Sequence, residues 1–433
     1  MRFVSTNDAS YRVPLKQAVL ASLPPDNGLY LPERLPRLDP GFWDVWRELT
    51  FQEIGCRVAQ AFFGEDVPED TLRMIVNDSL AFDAPLIEVA PQQYVLELFH
   101  GPTLAFKDFG ARFMARLMSW FTRDDDRLLT VLVATSGDTG GAVAHAFLGV
   151  PAIRVVILYP RGKVSGLQEK QLTTLGGNIT ALEIDGSFDD CQRLVKAALL
   201  DPGLAARLLL TSANSINISR LVPQIFYYIH SARLLPAGVS PVFVVPSGNL
   251  GNLTAGLLAE RLGLRVERFI AANNRNDVLT NYLAGDAYAP RPSQPTISSA
   301  MDVGAPSNFA RLLALFDQDR SAMCSRIGGY SVSDEDTLAA IRDVAANYNY
   351  QLDPHGAVGW CAARQWHQDH PKANSVILAT AHPAKFPETL DRVFGPGQVP
   401  IPERLACLAQ KTKCAIPMAA DTSSFFTWLR QGA

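Results

Sequence analysis

From about residue 128 the chain alternates short, mostly apolar runs with helix-patterned segments, and that alternation limits the folds open to it. The runs at 129–134, 155–159, 179–184 and 208–211 read as strands buried on both faces. Helix starts fall between them, marked by Ser165 with Gln168 and by Ser187 with Asp190. A second series follows, with strands at 242–245, 266–271 and 376–380 and helices at 253–262, from Ser333 to about 346, and after Pro387. Strands spaced this way cannot be joined by tight turns. They need crossover helices, which build right-handed parallel βαβ units. The expectation is an α/β fold of two open subdomains joined near 215–240. Residues 1–90 lack strand alternation. They carry helix patterns near 13–23 and 50–63, interrupted by Pro24-Pro25-Asp26-Asn27-Gly28, and read as an N-terminal extension. The boundaries expected are 1–90 for the extension, 91–230 for a smaller subdomain and 231–433 for a larger one.

With 433 residues, 48% of them hydrophobic, the chain has ample material for two or three cores. Charged residues make up 19% with a net charge of −4, which argues against a nucleic-acid footprint. No run of 18 apolar residues and no apolar leader occurs, so the expected setting is cytoplasmic, without membrane contact. The six cysteines are scattered and form no Cys-x-x-Cys pair, which points to reduced thiols and no zinc site. His367 and His370 lie three apart on a helix pattern with no third ligand near, so no metal is expected there.

In open α/β sheets, ligands bind on the loops that leave the carboxyl ends of the strands. Four such loops are polar or glycine-rich. Thr135-Ser136-Gly137-Asp138-Thr139-Gly140-Gly141 offers small residues and a helix start, which suits a carboxylate. Pro246-Ser247-Gly248-Asn249-Leu250-Gly251-Asn252 makes a phosphate cradle, but it lacks the Gly-Lys-Ser/Thr of a P-loop and the Gly-x-Gly-x-x-Gly of a dinucleotide site. Asn214, Ser215 and Arg220 in the third loop supply donors and a fixed positive fork for a second anion. Thr380, opening the segment Thr380-Ala381-His382-Pro383-Ala384-Lys385-Phe386, presents a hydroxyl at the end of the last strand. Lys163, with Arg161, adds positive charge at the same sheet edge.

One more residue gives these loops a chemistry. Lys107 is one of only nine lysines and sits in Thr103-Leu104-Ala105-Phe106-Lys107-Asp108-Phe109. An amine in a poorly hydrated pocket loses solvation of its charged form and becomes a nucleophile toward carbonyls. That is the chemistry of a Schiff base to pyridoxal phosphate. A lysine of this type, two anion sites and a carboxylate-binding turn together suit an enzyme that handles a phosphorylated amino acid.

The motifs from Glu97 to Gly110, Thr135 to Gly140, Asn214 to Arg220, Pro246 to Asn252, Ala300 to Gly304 and Thr380 to Phe386 closely resemble those of the threonine synthases, in the bacterial form with a long N-terminal region. The resemblance covers nearly the whole chain. It implies the fold-type II pyridoxal-phosphate architecture of the tryptophan synthase β group. It also implies conversion of O-phospho-L-homoserine and water to L-threonine and phosphate, by a monomer or homodimer. By motif, Lys107 corresponds to the Schiff-base lysine, Gly248, Asn249, Leu250, Gly251 and Asn252 to the cofactor-phosphate loop, and Thr380 to the partner of the pyridine nitrogen. Ser136, Gly137, Asp138 and Thr139 correspond to the loop that holds the substrate carboxylate and faces the cofactor O3′. Lys163, Asn214, Ser215 and Arg220 correspond to the substrate-phosphate site. Pro25-Asp26-Asn27-Gly28 departs from the Asp-Gly-Gly of many relatives, away from the chemistry. The rival readings are a dehydratase or cysteine synthase of the same fold, whose substrates carry no γ-phosphate, and a non-catalytic relative, against which the intact Lys107 argues.

Overall fold

The computed structural model describes residues 1–431. Numbered along the chain, the strands of the described residues form three sheets. The smallest is antiparallel, with β1 (Arg2–Ser5) between β2 (Arg12–Pro14) and β3 (Tyr30–Pro32). The largest has six strands in the order β12-β11-β10-β13-β5-β4. They are β4 (Leu86–Ala90), β5 (Gln93–Glu97), β10 (Pro241–Pro246), β11 (Arg268–Asn273), β12 (Ile327–Ser331) and β13 (Asn374–Ala379). Only β4 runs antiparallel to its neighbour. The third sheet is parallel throughout, in the order β14-β8-β7-β6-β9. It contains β6 (Leu129–Ala134), β7 (Ile153–Pro160), β8 (Ile179–Asp185), β9 (Leu209–Ser212) and β14 (Ile416–Ala419). Every residue of β6 and β10 is buried, as their unbroken apolar runs require when helices cover both faces of a sheet. Among the described residues no helix is long and apolar enough to cross a membrane.

The structure adds strands that patterning does not predict. Residues 1–90 do contain a sheet, but its strands are only three or four residues long, too short for an alternation to register. Gly328 and Gly329 hide β12, and Pro417 hides β14. Three strands also cross the expected boundaries. Residues 86–90, inside the expected extension, pair with β5 at the edge of the large sheet. Residues 93–97 pair with β13 in the large sheet, although they open the segment 91–230. Residues 416–419 return from the end of the chain to the edge of the small sheet, beside β8. Pairing follows the free edge available, whatever the order along the chain.

Two contacts position the site. The segment leading to Lys107 is stitched to the end of β13: Leu98 N–H donates to Ala379 O at 3.0 Å, Phe106 N–H to Thr380 O at 2.9 Å, and His382 N–H to Leu104 O at 3.1 Å. Helix Lys107–Thr122 then lies close against residues 218–221. A Cβ on Gly110 would sit 2.7 Å from Arg220 O, so only glycine allows that approach.

The N-terminal extension is held by a buried cation. Arg311 is fully buried with no carboxylate partner. Its guanidinium donates to Tyr30 O, Ser215 O and Ile216 O, and to Asn308 Oδ1. It therefore ties the extension to the loop after β9. Arg311→Met would leave four buried acceptors without a donor. The expected loss is on the order of 3 kcal/mol, read as a lower midpoint in urea unfolding of the full chain.

Candidate active site

The carboxyl ends of β6, β9, β10 and β13 face one cavity of about 1010 Å³, counting solvent at its mouth. Its walls include Lys107, Ser136, Asp138, Thr139, Asn214, Ser215 and Arg220. They also include the whole loop Gly248–Asn252, and Thr380. Four loops far apart in sequence, from Ser136 to Thr380, thus converge, as strand order predicts. Gly137 sits just behind this wall as the residue before helix Asp138–Phe147. Lys163 does not join it. The site lies at β6 and β9, and the loop after β7, one strand further out, leaves Lys163 exposed.

Local structure explains each placement. The hydroxyl of Thr135 accepts from Gly137 N and Gly140 N at 3.0 and 2.8 Å and fixes the turn that carries Ser136 to Thr139. Leu250 takes the left-handed conformation, with φ 61°, and starts helix Gly251–Arg261 with its amide end toward the cavity. Gly248 packs against the Ala300–Met301 turn, where an added Cβ would lie 3.1 Å from Met301 Cα. That turn is itself pinned, because Ala300 N–H donates to His355 Nε2 at 3.2 Å while His355 Nδ1 pairs with Asp353 at 2.6 Å. With both ring nitrogens engaged, His355 braces the wall and is not placed to exchange protons. Asn249 takes Ser307 N–H and the Asn308 amide. Asn308 also donates to Ser215 Oγ at 3.2 Å, which links the loops after β9 and β10.

The side chain of Asn214 is committed elsewhere. Its amide donates to Ala134 O at 2.7 Å and its oxygen accepts from Ala134 N at 3.0 Å. Its main work is to join the ends of β6 and β9. Two other lining residues present unmet donors. Tyr227 and Tyr228 both donate to Asn252 Oδ1, at 2.7 and 2.8 Å, and Asn252 Nδ2 has no partner. Arg220 gives one N–H to Ala213 O at 2.5 Å, and its Nε has none. Buried donors without acceptors are costly. Here one stands on the large-sheet side and one on the small-sheet side of the same cavity. Both suit anions.

The electrostatics centre on Lys107. Burial pulls its amine down to about 8, Asp138 opposes this, and Arg220 and Lys385 add to it. Its Nζ lies 3.9 Å from Asp138 Oδ2. The other oxygen of Asp138 takes Lys385 Nζ at 2.6 Å and Gln168 Nε2 at 2.8 Å. Although burial penalises its charge, Asp138 is held well below the ordinary carboxylate range by Lys385 and Lys107. Burial lowers Arg220 to about 10, still charged at neutral pH. Thr380 is buried, and its hydroxyl makes no hydrogen bond within the described residues. Sequence reasoning gives no role to Lys385, Gln168 or His355. Lys385 lies inside the Thr380–Phe386 motif and is one of the few lysines, which is the signal available for it. Gln168 is read as half of a capping box, but its side chain turns to Asp138 while Ser165 alone caps the helix.

Glycine cradles at a helix start, unmet donors for anions and a buried amine of lowered basicity fit an aldehyde cofactor that carries a phosphate. Residues 85–381 match the family described as pyridoxal-phosphate dependent enzyme. Residues 2–80 and 356–425 match the threonine synthase N terminus and C-terminal families. The chain is 45% identical over 408 residues to threonine synthase of Escherichia coli (strain K12), covering 94% of each chain. It is 36% identical over 449 residues to the Pseudomonas aeruginosa threonine synthase, covering 96% of this chain and 95% of that one. The solved E. coli threonine synthase superposes with TM-score 0.94 at 42% identity over all of both chains. The PLP-bound threonine synthase of Brucella melitensis gives 0.90 at 35%, over all of this chain and 99% of that one. Maize serine racemase shares the fold, with TM-score 0.55 at 17% identity over 72% of this chain and 92% of that one. The chain belongs to the threonine synthase family of pyridoxal-phosphate-dependent enzymes.

Proposed function

We propose that this enzyme converts O-phospho-L-homoserine and water to L-threonine and inorganic phosphate, with pyridoxal phosphate held at Lys107. The observation that carries the reading is the pair of unmet buried donors, Asn252 Nδ2 and Arg220 Nε, in one cavity with Lys107. Two separate anion sites are what a phosphorylated cofactor and a phosphorylated substrate need together. Dehydratases and cysteine synthases of this fold need only the first. The backbone amides of Gly248, Asn249, Leu250 and Gly251, with the side-chain amide of Asn252, would hold the cofactor phosphate at the start of helix Gly251–Arg261. Thr380 offers a neutral hydroxyl to the ring nitrogen. When bound, the cofactor supplies an electron sink for charge developing next to the substrate amine.

The other tasks fall to the protein. Ser136, Gly137 and Thr139, at the start of a second helix, would hold the substrate carboxylate, and Asp138 would lie on the phenolic side of the cofactor. Lys107, in its neutral form, would move the protons at Cα and then Cβ. Arg220 and the Ser215 hydroxyl grip the γ-phosphate, and charge-assisted bonds there strengthen as it leaves. Asn214 steadies that loop through Ala134. Lys163 has no part in this arrangement, because it is exposed. We read the chain as working in three parts: the extension, a small-sheet lobe around β6 to β9, and a large-sheet lobe carrying the Gly248–Asn252 loop. Closure of one lobe on the other would exclude stray water. A cytoplasmic monomer or homodimer is the setting we infer.

Phosphate and threonine should appear together, in equal amounts, from phosphohomoserine supplied to the pyridoxal-phosphate-loaded protein. Pyruvate from serine as the dominant product would overturn the reading in favour of a dehydratase. Lys107→Ala should lose covalent cofactor attachment after borohydride treatment, mapped by mass spectrometry, and lose turnover by at least about 10²–10⁴-fold. Arg220→Ala removes a charge-assisted contact worth about 1.5–3 kcal/mol, so KM for phosphohomoserine should rise by about 10–100-fold. Cofactor affinity in that variant should stay within about threefold. Equal losses of both would contradict two distinct anion sites.

A further inference from the structure

Lys385 is fully buried and lies on the short turn after β13, in the large-sheet lobe. Its ammonium crosses to the small-sheet lobe and meets Asp138 Oδ1 at 2.6 Å. It also donates to Thr103 O at 2.8 Å, an acceptor shared with Gln171 Nε2 at 3.1 Å. Thr103 in turn gives its N–H and hydroxyl to Asp108, at 2.8 and 2.6 Å. Lys385 therefore ends a buried polar chain that begins one residue beyond Lys107. Burying a second lysine beside the first is costly unless it is paired, and Asp138 and Thr103 supply the partners.

One carboxylate faces two ammonium groups, and the geometry favours one of them. Asp138 spends Oδ1 on Lys385 and Gln168, whereas Lys107 Nζ is 3.9 Å from Oδ2, beyond hydrogen-bond reach. Around Lys107 the charged groups are Asp138, Arg220 and Lys385. Around Lys385 and Thr103 they are Asp138, Lys107 and Asp108, and His145 is the next titratable group beyond Asp108. Asp108 turns both oxygens to Thr103 and His145 carries no negative charge, so neither acts as a counter-ion to Lys107. If the position of Lys385 were apolar, Asp138 would have no cation other than Lys107 within reach.

We propose that Lys385 is a positioning residue for Lys107: it engages Asp138 from the opposite lobe and so leaves the Lys107 amine without a hydrogen-bonded counter-ion, easier to deprotonate and more nucleophilic. The same ion pair ties the two lobes across the site. This rests on Lys107 being the reactive amine, and it adds a reason for that reactivity.

The test is competitive acetylation of the full chain freed of cofactor. The extent of modification at Lys107 is followed by mass spectrometry across pH 6 to 11. An acylating reagent reacts only with neutral amines, so the midpoint reports the protonation of Lys107. Lys385→Met should move the midpoint up by at least about one pH unit, which slows modification near neutral pH about tenfold. Lys385→Gln keeps a donor for Asp138 and Thr103 without the charge. It should shift the midpoint the same way, and it serves if the Met variant does not fold. Asp138→Asn should move the midpoint down. A lysine that served only to hold the lobes together would lower the melting temperature and leave the midpoint where it was. An unchanged or lowered midpoint in both Lys385 variants overturns the proposal. Normal cofactor attachment with an unmoved midpoint defeats the role of Lys385 alone. Failure of pyridoxal phosphate to attach at Lys107 in the holoenzyme defeats the functional reading instead.

Discussion

Everything at this site depends on a shortage of negative charge. Lys107, Lys385 and Arg220 meet in one largely dry region, and among the described residues Asp138 is the carboxylate that ion-pairs with two of them, Lys107 and Lys385. Three cations in water-poor surroundings repel one another. The least costly response is for one to bind its proton less tightly. Arg220 is an unsuitable candidate because a guanidinium stays charged even when burial lowers it to about 10. Lys385 is fixed by Asp138 and Thr103. Lys107 is left, at the cavity wall, with burial as its largest influence. Its nucleophilicity is thus a property of the set.

The surplus positive charge has a second consequence. A cavity that is net cationic before any ligand arrives is completed by anions. The unmet donors of Asn252 and Arg220 say where those anions belong. The supports behind the donors are rigid. Two tyrosine hydroxyls lock the Asn252 oxygen, and Gly110 lets the lysine helix press against the Arg220 backbone. Arg311 and Asn308 then couple the loops after β9 and β10 to each other and to the N-terminal extension. The extension thus contributes to the site through Tyr30 O without lining it.

How much of this was legible in the sequence follows from what each feature needs. Apolar runs made β6, β7 and β10 legible, because a strand buried on both faces leaves little choice of residue, and β8 was legible from its buried Ile179, Ala181, Leu182 and Ile184. The loops at their carboxyl ends were legible for the same reason, since strand order brings them to one edge. Short strands such as β3, and strands carrying glycine or proline such as β12 and β14, were not legible, because their pairing comes from a free sheet edge elsewhere in the fold. Lys163 shows the limit of counting charges along an edge: it sits on a correct kind of loop but one strand too far out. Asn214 shows another. Its amide is the right chemistry for a phosphate, and only coordinates reveal that Ala134 already occupies it. Lys385 was hidden because its role depends on a partner almost 250 positions away.

The division of the two unmet donors between lobes bears on selectivity. Asn252 belongs to the large-sheet side and Arg220 to the small-sheet side, so a ligand with one anionic group satisfies one donor and leaves the other buried and unpaired. That residue of unsatisfied polarity costs about 1–3 kcal/mol for each lost partner. On the function proposed above, a phosphorylated amino acid arriving on a phosphorylated cofactor would satisfy both. Serine or threonine in its place would leave Arg220 Nε buried without an acceptor, so that reading needs no steric block to disfavour them.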